Sequence, residues 1–289
     1  MIKLKNRALF VKNRTYILLS PAKLNLYLKV LNRRPDNYHN INSLIQKISL
    51  FDILKIKILE DKNIKSIKFS ISNIPENNTI LKAINLFKSL IKIDFGYNIE
   101  VIKNIPMEAG LGGGSSNAAT VLKFLNYFFK TNIPLIKLID ISTNIGADVP
   151  LFLSDKNIIL ITGIGENIKF VNPDISKYKW FLLVIPDKSL STKKVYKELN
   201  FVLTNSNKNI MEDTLFEIGY NDLEKPAFKI LPELKVIKDK LKEYTDLALM
   251  TGSGSTIYSG FEYKQKAVET FKTIEKLFPN YKKIIVRAL

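Results

Sequence analysis

The stretch Pro106-Met-Glu-Ala-Gly110-Leu-Gly-Gly-Gly-Ser115-Ser-Asn-Ala-Ala-Thr120 packs four glycines and two serines together and then turns apolar. Downstream, Ala118, Val121, Leu122, Leu125, Phe128 and Phe129 recur at the spacing of one helix face. A helix is therefore predicted from about Asn117, with Ser115 or Ser116 as its N-cap. The glycines end where the helix begins. Free backbone N–H groups and about half a positive charge of helix dipole gather there, and residues without side chains let phosphate oxygens reach the main chain. A plain strand-to-helix turn needs one or two glycines. Gly110, Gly112, Gly113 and Gly114 together exceed that, so the stretch reads as a phosphate loop.

Familiar phosphate binders do not fit. The pattern G-x-x-x-x-G-K-[ST] fails because no lysine follows the glycines, and G-x-G-x-x-G starting at Gly110 meets Ser115 where its last glycine belongs. The protein-kinase set H-R-D, D-F-G and V-A-I-K is missing too.

Composition narrows the chemistry. The 289 residues are 46% hydrophobic, enough for a large core and more naturally two domains of ordinary size. Cysteine is absent and His39 is the single histidine, which excludes disulfides, thiolate nucleophiles and multi-histidine metal sites. Carboxylates and lysines are left as the acid–base equipment. The net charge of +17 suits nucleic acid, an anionic membrane or polyanionic small substrates. Its lysines are spread among many Ile and Asn, as in Lys55-Ile-Lys57-Ile and Lys235-Val-Ile-Lys238-Asp-Lys240, and no segment gathers them into an arm. A general drift towards Lys, Ile and Asn is preferred to a nucleic-acid surface. No apolar run approaches the ~20 residues of a bilayer span. The basic, acid-free Met1–Arg14 lacks the serine enrichment of an organellar presequence, so a cytoplasmic protein with a slightly extended N-terminus is expected.

Along the chain the pattern is mixed. Residues Thr15–Val30, Ile53–Leu59, Ile64–Ile71 and Asn98–Lys103 alternate as strands, and Thr79–Leu90 and Pro134–Asn144 have helical spacing. The apolar run Trp180–Ile185 opens a second unit after the polar Asn167–Lys179, which puts the domains at 1–166 and 167–289. That unit carries helical stretches at Asn221–Ile230, Glu233–Glu243 and Gln265–Leu277, a glycine turn at Thr251–Ser255 and a closing strand Lys283–Arg287.

Two further stretches carry chemistry. In Ser20-Pro-Ala-Lys-Leu-Asn-Leu-Tyr-Leu-Lys29, alternation sets Leu24, Leu26 and Leu28 against Lys23, Asn25 and Tyr27. A lysine and an asparagine on one face of an otherwise apolar strand look like a site, whereas a solvated strand face suits Lys29 better than Lys23. In Gly146-Ala-Asp148-Val-Pro-Leu-Phe-Leu153, a carboxylate sits on a turn leading into an apolar strand, where by itself Asp148 reads as a turn or capping residue.

Taken in order, Pro21-Ala-Lys-Leu-Asn25, Asn37-Tyr-His39, the glycine stretch, Gly146-Ala-Asp-Val-Pro150 and Thr251-Gly-Ser-Gly-Ser-Thr256 resemble the GHMP small-molecule kinases from about Ser20 to Phe261. Asn37-Tyr-His39 and Gly146–Pro150 resemble the branch that phosphorylates a diphosphocytidyl methylerythritol in the non-mevalonate isoprenoid pathway. The resemblance implies an α+β fold of two domains, an N-terminal one with a left-handed βαβ unit and a C-terminal ferredoxin-like one, with the active site in the cleft between them. It implies ATP and Mg²⁺ as cofactors, a cytidine diphosphate polyol as substrate, and neither nucleic acid nor membrane as partner.

Residue by residue, the resemblance makes Asp148 the base for the acceptor hydroxyl and Lys23 its cationic neighbour. A charge pair at ~4 Å is worth ~4 kcal/mol at an effective dielectric of about 20, which helps an alkoxide develop. Pro106, Met107, Gly110, Leu111, Gly112, Gly113, Gly114, Ser115 and Ser116 would hold the triphosphate, with Asn78 and Lys103 flanking the nucleotide base. Ser115 or Ser116 is a candidate magnesium ligand, and no carboxylate is assigned to the metal. Tyr38, His39, Thr192 and Tyr196 would read the cytosine, and Asn25 would complete that pocket. The aromatic set separates this reading from a homoserine or mevalonate kinase. A basic nucleic-acid-binding protein on a related fold is the remote alternative, marked by affinity that falls steeply with salt. Two residues depart from the family pattern. Asn37 replaces a glycine and is expected to tolerate positive φ, and Glu108 occupies a usually small position, with its side chain expected to face solvent.

Overall fold

The computed structural model describes residues 14–171, 175, 177–199 and 217–289. The N-terminal extension considered above lies almost wholly outside the described residues. Two compact units interleave along the chain. The first takes 14–22, Leu50–Ile105 and Gly112–Asp155, and the second takes Lys23–Ser49, Pro106–Leu111 and Lys156–Leu289. The packing thus divides the chain differently from a single cut at residue 166. The reason is the length of β1 (Tyr16–Arg33) and β2 (His39–Leu59), each of which contributes to both units.

In the first unit, the later half of β2 alternates between buried Leu54, Ile56 and Ile58 and half-buried Ile53, Lys55 and Lys57, the period of a strand with one covered face. A strand β3 (Lys65–Phe69), a helix α1 (Thr79–Ile91) and a strand β4 (Gly96–Ile102) follow. β4 pairs antiparallel with β2 from Ile53↔Ile102 to Leu59↔Gly96, and parallel with β3, so α1 is a βαβ crossover. Helices α2 (Gly113–Phe128), α3 (Leu135–Ser142) and α4 (Val149–Leu153) complete the unit, with α2 packed on α1 and α4. Ile80, Ile84 and Phe87 of α1 and Ala118, Val121, Leu122 and Leu125 of α2 are buried. Each large apolar side chain among them contributes about 1.5–3 kcal/mol.

Two local expectations are corrected. The cap of α2 is Gly112 at φ 73°, and the first helical hydrogen bond runs from the Ser116 N–H to the Gly112 carbonyl at 2.9 Å. Ser115 and Ser116 therefore lie inside the first turn, because the left-handed conformation that only glycine adopts at no cost starts the helix earlier. Residues Val149–Leu153 form a short helix with Pro150 in its first turn, not a strand. All five are buried, and a short, wholly buried apolar run carries no period that distinguishes the two.

In the second unit, β5 (Ile158–Gly163) pairs antiparallel with the first half of β2, and β6 (Asn167–Lys169) with β5. The strands β7 (Trp180–Ile185), β9 (Ala248–Met250), β10 (Ile257–Phe261) and β11 (Lys282–Arg287) form an antiparallel sheet in the order β11-β7-β10-β9. Helices α5 (Thr192–Glu198), α6 (Glu224–Ile230) and α7 (Glu233–Lys242) precede β9, and α8 (Lys264–Leu277) joins β10 to β11. The order 4-1-3-2 of the four strands, with helices in these crossovers, is the ferredoxin-like arrangement. A two-residue strand β8 (Tyr220–Asn221) runs parallel to β1 at Tyr27↔Tyr220. Leu182, Val184, Leu234, Ile237, Met250, Ile257 and Ile274 centre this core. No helix among the described residues is long and apolar enough to cross a membrane.

The start of α2 is open to test. Gly112→Ala should cost about 1–2 kcal/mol, the penalty of a Cβ in the left-handed region, and Gly112→Asn should cost less. Urea unfolding midpoints check this, and an unchanged midpoint for the alanine variant would contradict the conformation.

Candidate active site

In the first unit the expected site residues gather around the start of α2. With Gly112 as cap, the N–H groups of Gly113, Gly114 and Ser115 have no carbonyl within the helix to receive them. The packing is tight at Gly113 and ordinary at Gly114. A Cβ on Gly113 would lie 3.0 Å from the Ile105 side chain and 3.2 Å from the Lys103 ammonium, and one on Gly114 would lie 3.4 Å from the Thr79 hydroxyl. Thr79 donates to the Gly114 carbonyl at 2.7 Å, which ties α1 to this turn. The two serines separate. Ser116 is fully buried and receives the Ser20 hydroxyl at 2.8 Å, whereas Ser115 is half-buried, 3.8 Å from where a Cβ on Gly146 would stand.

Asn78 caps α1, its Oδ1 accepting the Leu81 N–H at 3.0 Å. The Lys103 ammonium donates to the buried Asp52 carboxylate. Asp148 occupies the cap position of α4, yet its side chain makes no capping hydrogen bond. Its half-buried carboxylate is thus not spent on the helix, which removes the capping reading of this residue.

Pro106, Met107, Glu108, Gly110 and Leu111 fall in the second unit, as do Lys23 and Asn25. Lys23 and Asn25 are both buried at 3% exposure, consistent with a site face and not a solvated one. The Lys23 ammonium donates to Asn25 Oδ1 at 2.5 Å, and its N–H donates to the Leu111 carbonyl at 3.1 Å. Asn25 Nδ2 donates to the Ser43 hydroxyl at 2.8 Å, which passes on to the Tyr27 carbonyl at 2.6 Å. The Asn25 N–H donates to Thr251 Oγ1 at 3.1 Å, the Thr251 hydroxyl returns to Asn25 Oδ1 at 3.1 Å, and the Tyr258 hydroxyl donates to the Asn25 carbonyl at 2.8 Å. Gly110 approaches the same threonine so closely that a Cβ would lie 2.2 Å from the Thr251 carbonyl oxygen.

The turn Thr251–Ser255 is pinned from behind. Asn221 Nδ2 donates to the carbonyls of Met250 at 2.7 Å and Gly252 at 2.9 Å. Gly252 stands at φ 57°, and a Cβ there would lie 3.3 Å from the Lys23 ammonium. Asn221, Ser43 and Ser20 were not expected from the sequence, because their partners lie far along the chain. Asp52 was also missed, although a carboxylate in register with Leu54 and Ile56 on the covered face of a strand is a legible signal.

The aromatic set follows the turn at Asn37, which adopts φ 68° as expected, with the Tyr38 carbonyl receiving the Arg34 N–H at 2.8 Å. Tyr38 is exposed. His39 stacks on Tyr196 of α5, ring centroids 4.8 Å apart at 21°. Burial, assisted by the Arg33 guanidinium, lowers the His39 pKa from the ordinary imidazole value, so the ring is neutral at pH 7. Thr192, the first residue of α5, shares a hydrogen bond with Ser253 at 2.8 Å. Glu108 is exposed, as expected, and receives the Ser189 hydroxyl at 2.8 Å, while its backbone sits at φ 51°.

The matches to known proteins agree with this geometry. Residues 78–156 match the GHMP kinases N terminal domain and residues 203–280 the GHMP kinases C terminal domain. The chain is 41% identical to the 4-diphosphocytidyl-2-C-methyl-D-erythritol kinase of Protochlamydia amoebophila over 83% of each chain. It is 39% identical to that of Syntrophus aciditrophicus, over 90% of this chain and 94% of the relative. A crystal structure of 4-(cytidine 5'-diphospho)-2C-methyl-D-erythritol kinase superposes with a TM-score of 0.75 at 28% identity, covering 95% of this chain and 100% of that one. The mevalonate kinase of Methanococcus jannaschii, 17% identical with a TM-score of 0.66, shares the fold.

Two outcomes follow for the second unit. Asn25→Ala removes an acceptor that orients the Lys23 ammonium and should lower turnover about 10- to 100-fold. MgATP affinity, read by calorimetry, should fall less than turnover does, since Asn25 reaches the glycine stretch only indirectly, through Thr251, whose hydroxyl also faces the Gly110 carbonyl at 3.3 Å. His39, its folded pKa depressed, binds its proton more readily in the unfolded chain; its contribution to stability is present above about pH 6.5 and is lost as the pH falls through the folded value. Thermal unfolding between pH 7.5 and 5 should show that loss diminished in His39→Gln.

With the helix that starts at the glycine stretch, the buried lysine–asparagine pair and these matches in agreement, the chain belongs to the 4-diphosphocytidyl-2-C-methyl-D-erythritol kinase family of the GHMP kinases.

Proposed function

We propose that this chain transfers the γ-phosphoryl group of ATP to a hydroxyl of 4-diphosphocytidyl-2-C-methyl-D-erythritol, as a cytoplasmic enzyme of non-mevalonate isoprenoid synthesis. The observation that carries the reading is Asp148, a carboxylate at a helix start that does not cap the helix. The acceptor O–H gives its proton to Asp148, the oxygen forms a bond to the γ-phosphorus, and the bond to the β-phosphate oxygen breaks to release ADP. A carboxylate is a weak base for an alcohol. It suffices because the transition state is loose and the proton leaves late, so most of the acceleration comes from positioning and charge. Lys23, held by Asn25, supplies a fixed positive charge for the developing alkoxide.

The N–H groups of Gly113, Gly114 and Ser115 face the triphosphate. Mg²⁺, when bound with the nucleotide, would neutralise charge on the triphosphate. Among the described residues no group of three His, Cys, Asp or Glu is placed to hold a metal. The residues therefore fit an ion carried by the nucleotide, with the Ser115 hydroxyl available to it and that of Ser116 engaged by Ser20.

On the acceptor side, a neutral imidazole both donates and accepts, which suits the amide-like edge of cytosine. The His39–Tyr196 stack leaves no room for a base between its rings, so a base must extend the stack or spread it. Tyr38, exposed beside His39, offers a second ring. The basic excess is spread along the chain and calls for neither nucleic acid nor membrane.

Purified protein supplied with MgATP and the diphosphocytidyl polyol should release ADP. Turnover with homoserine and none with the polyol would overturn the assignment in favour of another GHMP kinase. Asp148→Asn should abolish turnover while keeping MgATP affinity, and equal loss of both would argue against a base. Tyr196→Ala should raise the KM for the polyol by about 5- to 100-fold, since stacking is worth about 1–3 kcal/mol per base, with nucleotide affinity unchanged.

A further inference from the structure

Asp52 stands in β2 on the covered face shared with Leu54 and Ile56, where alternation calls for an apolar side chain, and it is 0% exposed. A carboxylate so placed is sustained only by donors. Its Oδ1 receives the N–H groups of Asn104 at 2.8 Å and Ile105 at 2.9 Å. Its Oδ2 receives Asn117 Nδ2 at 3.0 Å and the Lys103 ammonium.

These donors come from two stretches of the first unit, residues 103–105 and α2. Asn104 and Ile105 lead into the glycine stretch, Asn117 lies one turn into α2, and the Lys103 side chain reaches Gly113, where a Cβ would lie 3.2 Å from its ammonium. Ile105 closes the same space at 3.0 Å. The ammonium, 6% exposed along its side chain, is thereby fixed against the first residue of a helix whose N–H groups face outward for an anion. A lysine side chain otherwise spreads over many rotamers and loses about 1.5–2 kcal/mol of entropy on being fixed.

We propose that Asp52 is the positioning residue of the nucleotide site. It holds the Lys103 ammonium in register with the first turn of α2, so that a bound nucleoside triphosphate meets a preset cation beside the helix N–H donors. The inference rests on the kinase reading above, but nucleotide binding tests it without any acceptor.

MgATP and MgADP affinities are measured by calorimetry on the full chain, for wild type, Asp52→Asn, Lys103→Met and the double variant. Asp52→Asn should weaken MgATP binding about 10- to 30-fold, as expected when a charge-assisted partner is lost, while the KM for the polyol stays within about 3-fold. If Asp52 acts through Lys103, the double variant binds no more than about 2- to 3-fold more weakly than Lys103→Met, whereas independent roles give multiplied losses. Multiplied losses, or an Asp52→Asn that lowers stability and leaves MgATP affinity unchanged, would overturn the proposal. Should Asp52→Asn fail to fold, Lys103→Met alone decides, because unchanged MgATP binding in that variant also overturns it. A wild-type chain that binds no MgATP would overturn the kinase reading itself, an outcome distinct from both.

Discussion

The left-handed backbone at Gly112 fixes the start of α2 and, through it, the neighbours of the glycine stretch. A helix that begins one residue later has N–H groups to offer, and the helical period then decides every neighbour. Ser115 is turned partly outward, Ser116 inward to Ser20, and Asn117 inward to Asp52. Had a side chain been present at Gly113, Ile105 and Lys103 would both have to move. The glycines are thus not equivalent: Gly112 supplies positive φ, Gly113 supplies space, and Gly110 supplies both.

In the second unit a single amide has the corresponding place. Asn25 accepts from Lys23 and Thr251 at once and donates to Ser43, and its backbone receives Tyr258. Within this network the Asn25 amide dipole orients the ammonium. Satisfied buried networks of this kind rigidify, since low local dielectric makes each missing bond costly. Asn221 extends the same logic outward by holding the carbonyls that shape the glycine turn.

The glycine stretch, the Lys23 and Asn25 face and the single histidine could be read from the sequence because each breaks a local pattern. Strand and helix positions followed from period, with β1, α1 and β7 close to their expected bounds. The cap of α2 was misplaced because serine is the commoner cap and backbone dihedrals are invisible in a pattern. The helix at Val149–Leu153 was misread because burial on all sides erases the period. Links such as Asn25 to Thr251 span 226 residues and leave no local trace. Asp52 left one, a charge on an apolar register, but it was hidden within a strand otherwise read by its hydrophobic residues.

Ala22 and Lys23 are consecutive in one strand, as are Ser49 and Leu50, yet the packing assigns them to different units. Each unit is gathered from three separate stretches of chain. No single crossover between two related genes can therefore exchange one unit whole, and no contiguous fragment contains one without part of the other. Variation in such a protein must accumulate by substitution and loop change, with the two units inherited as one piece.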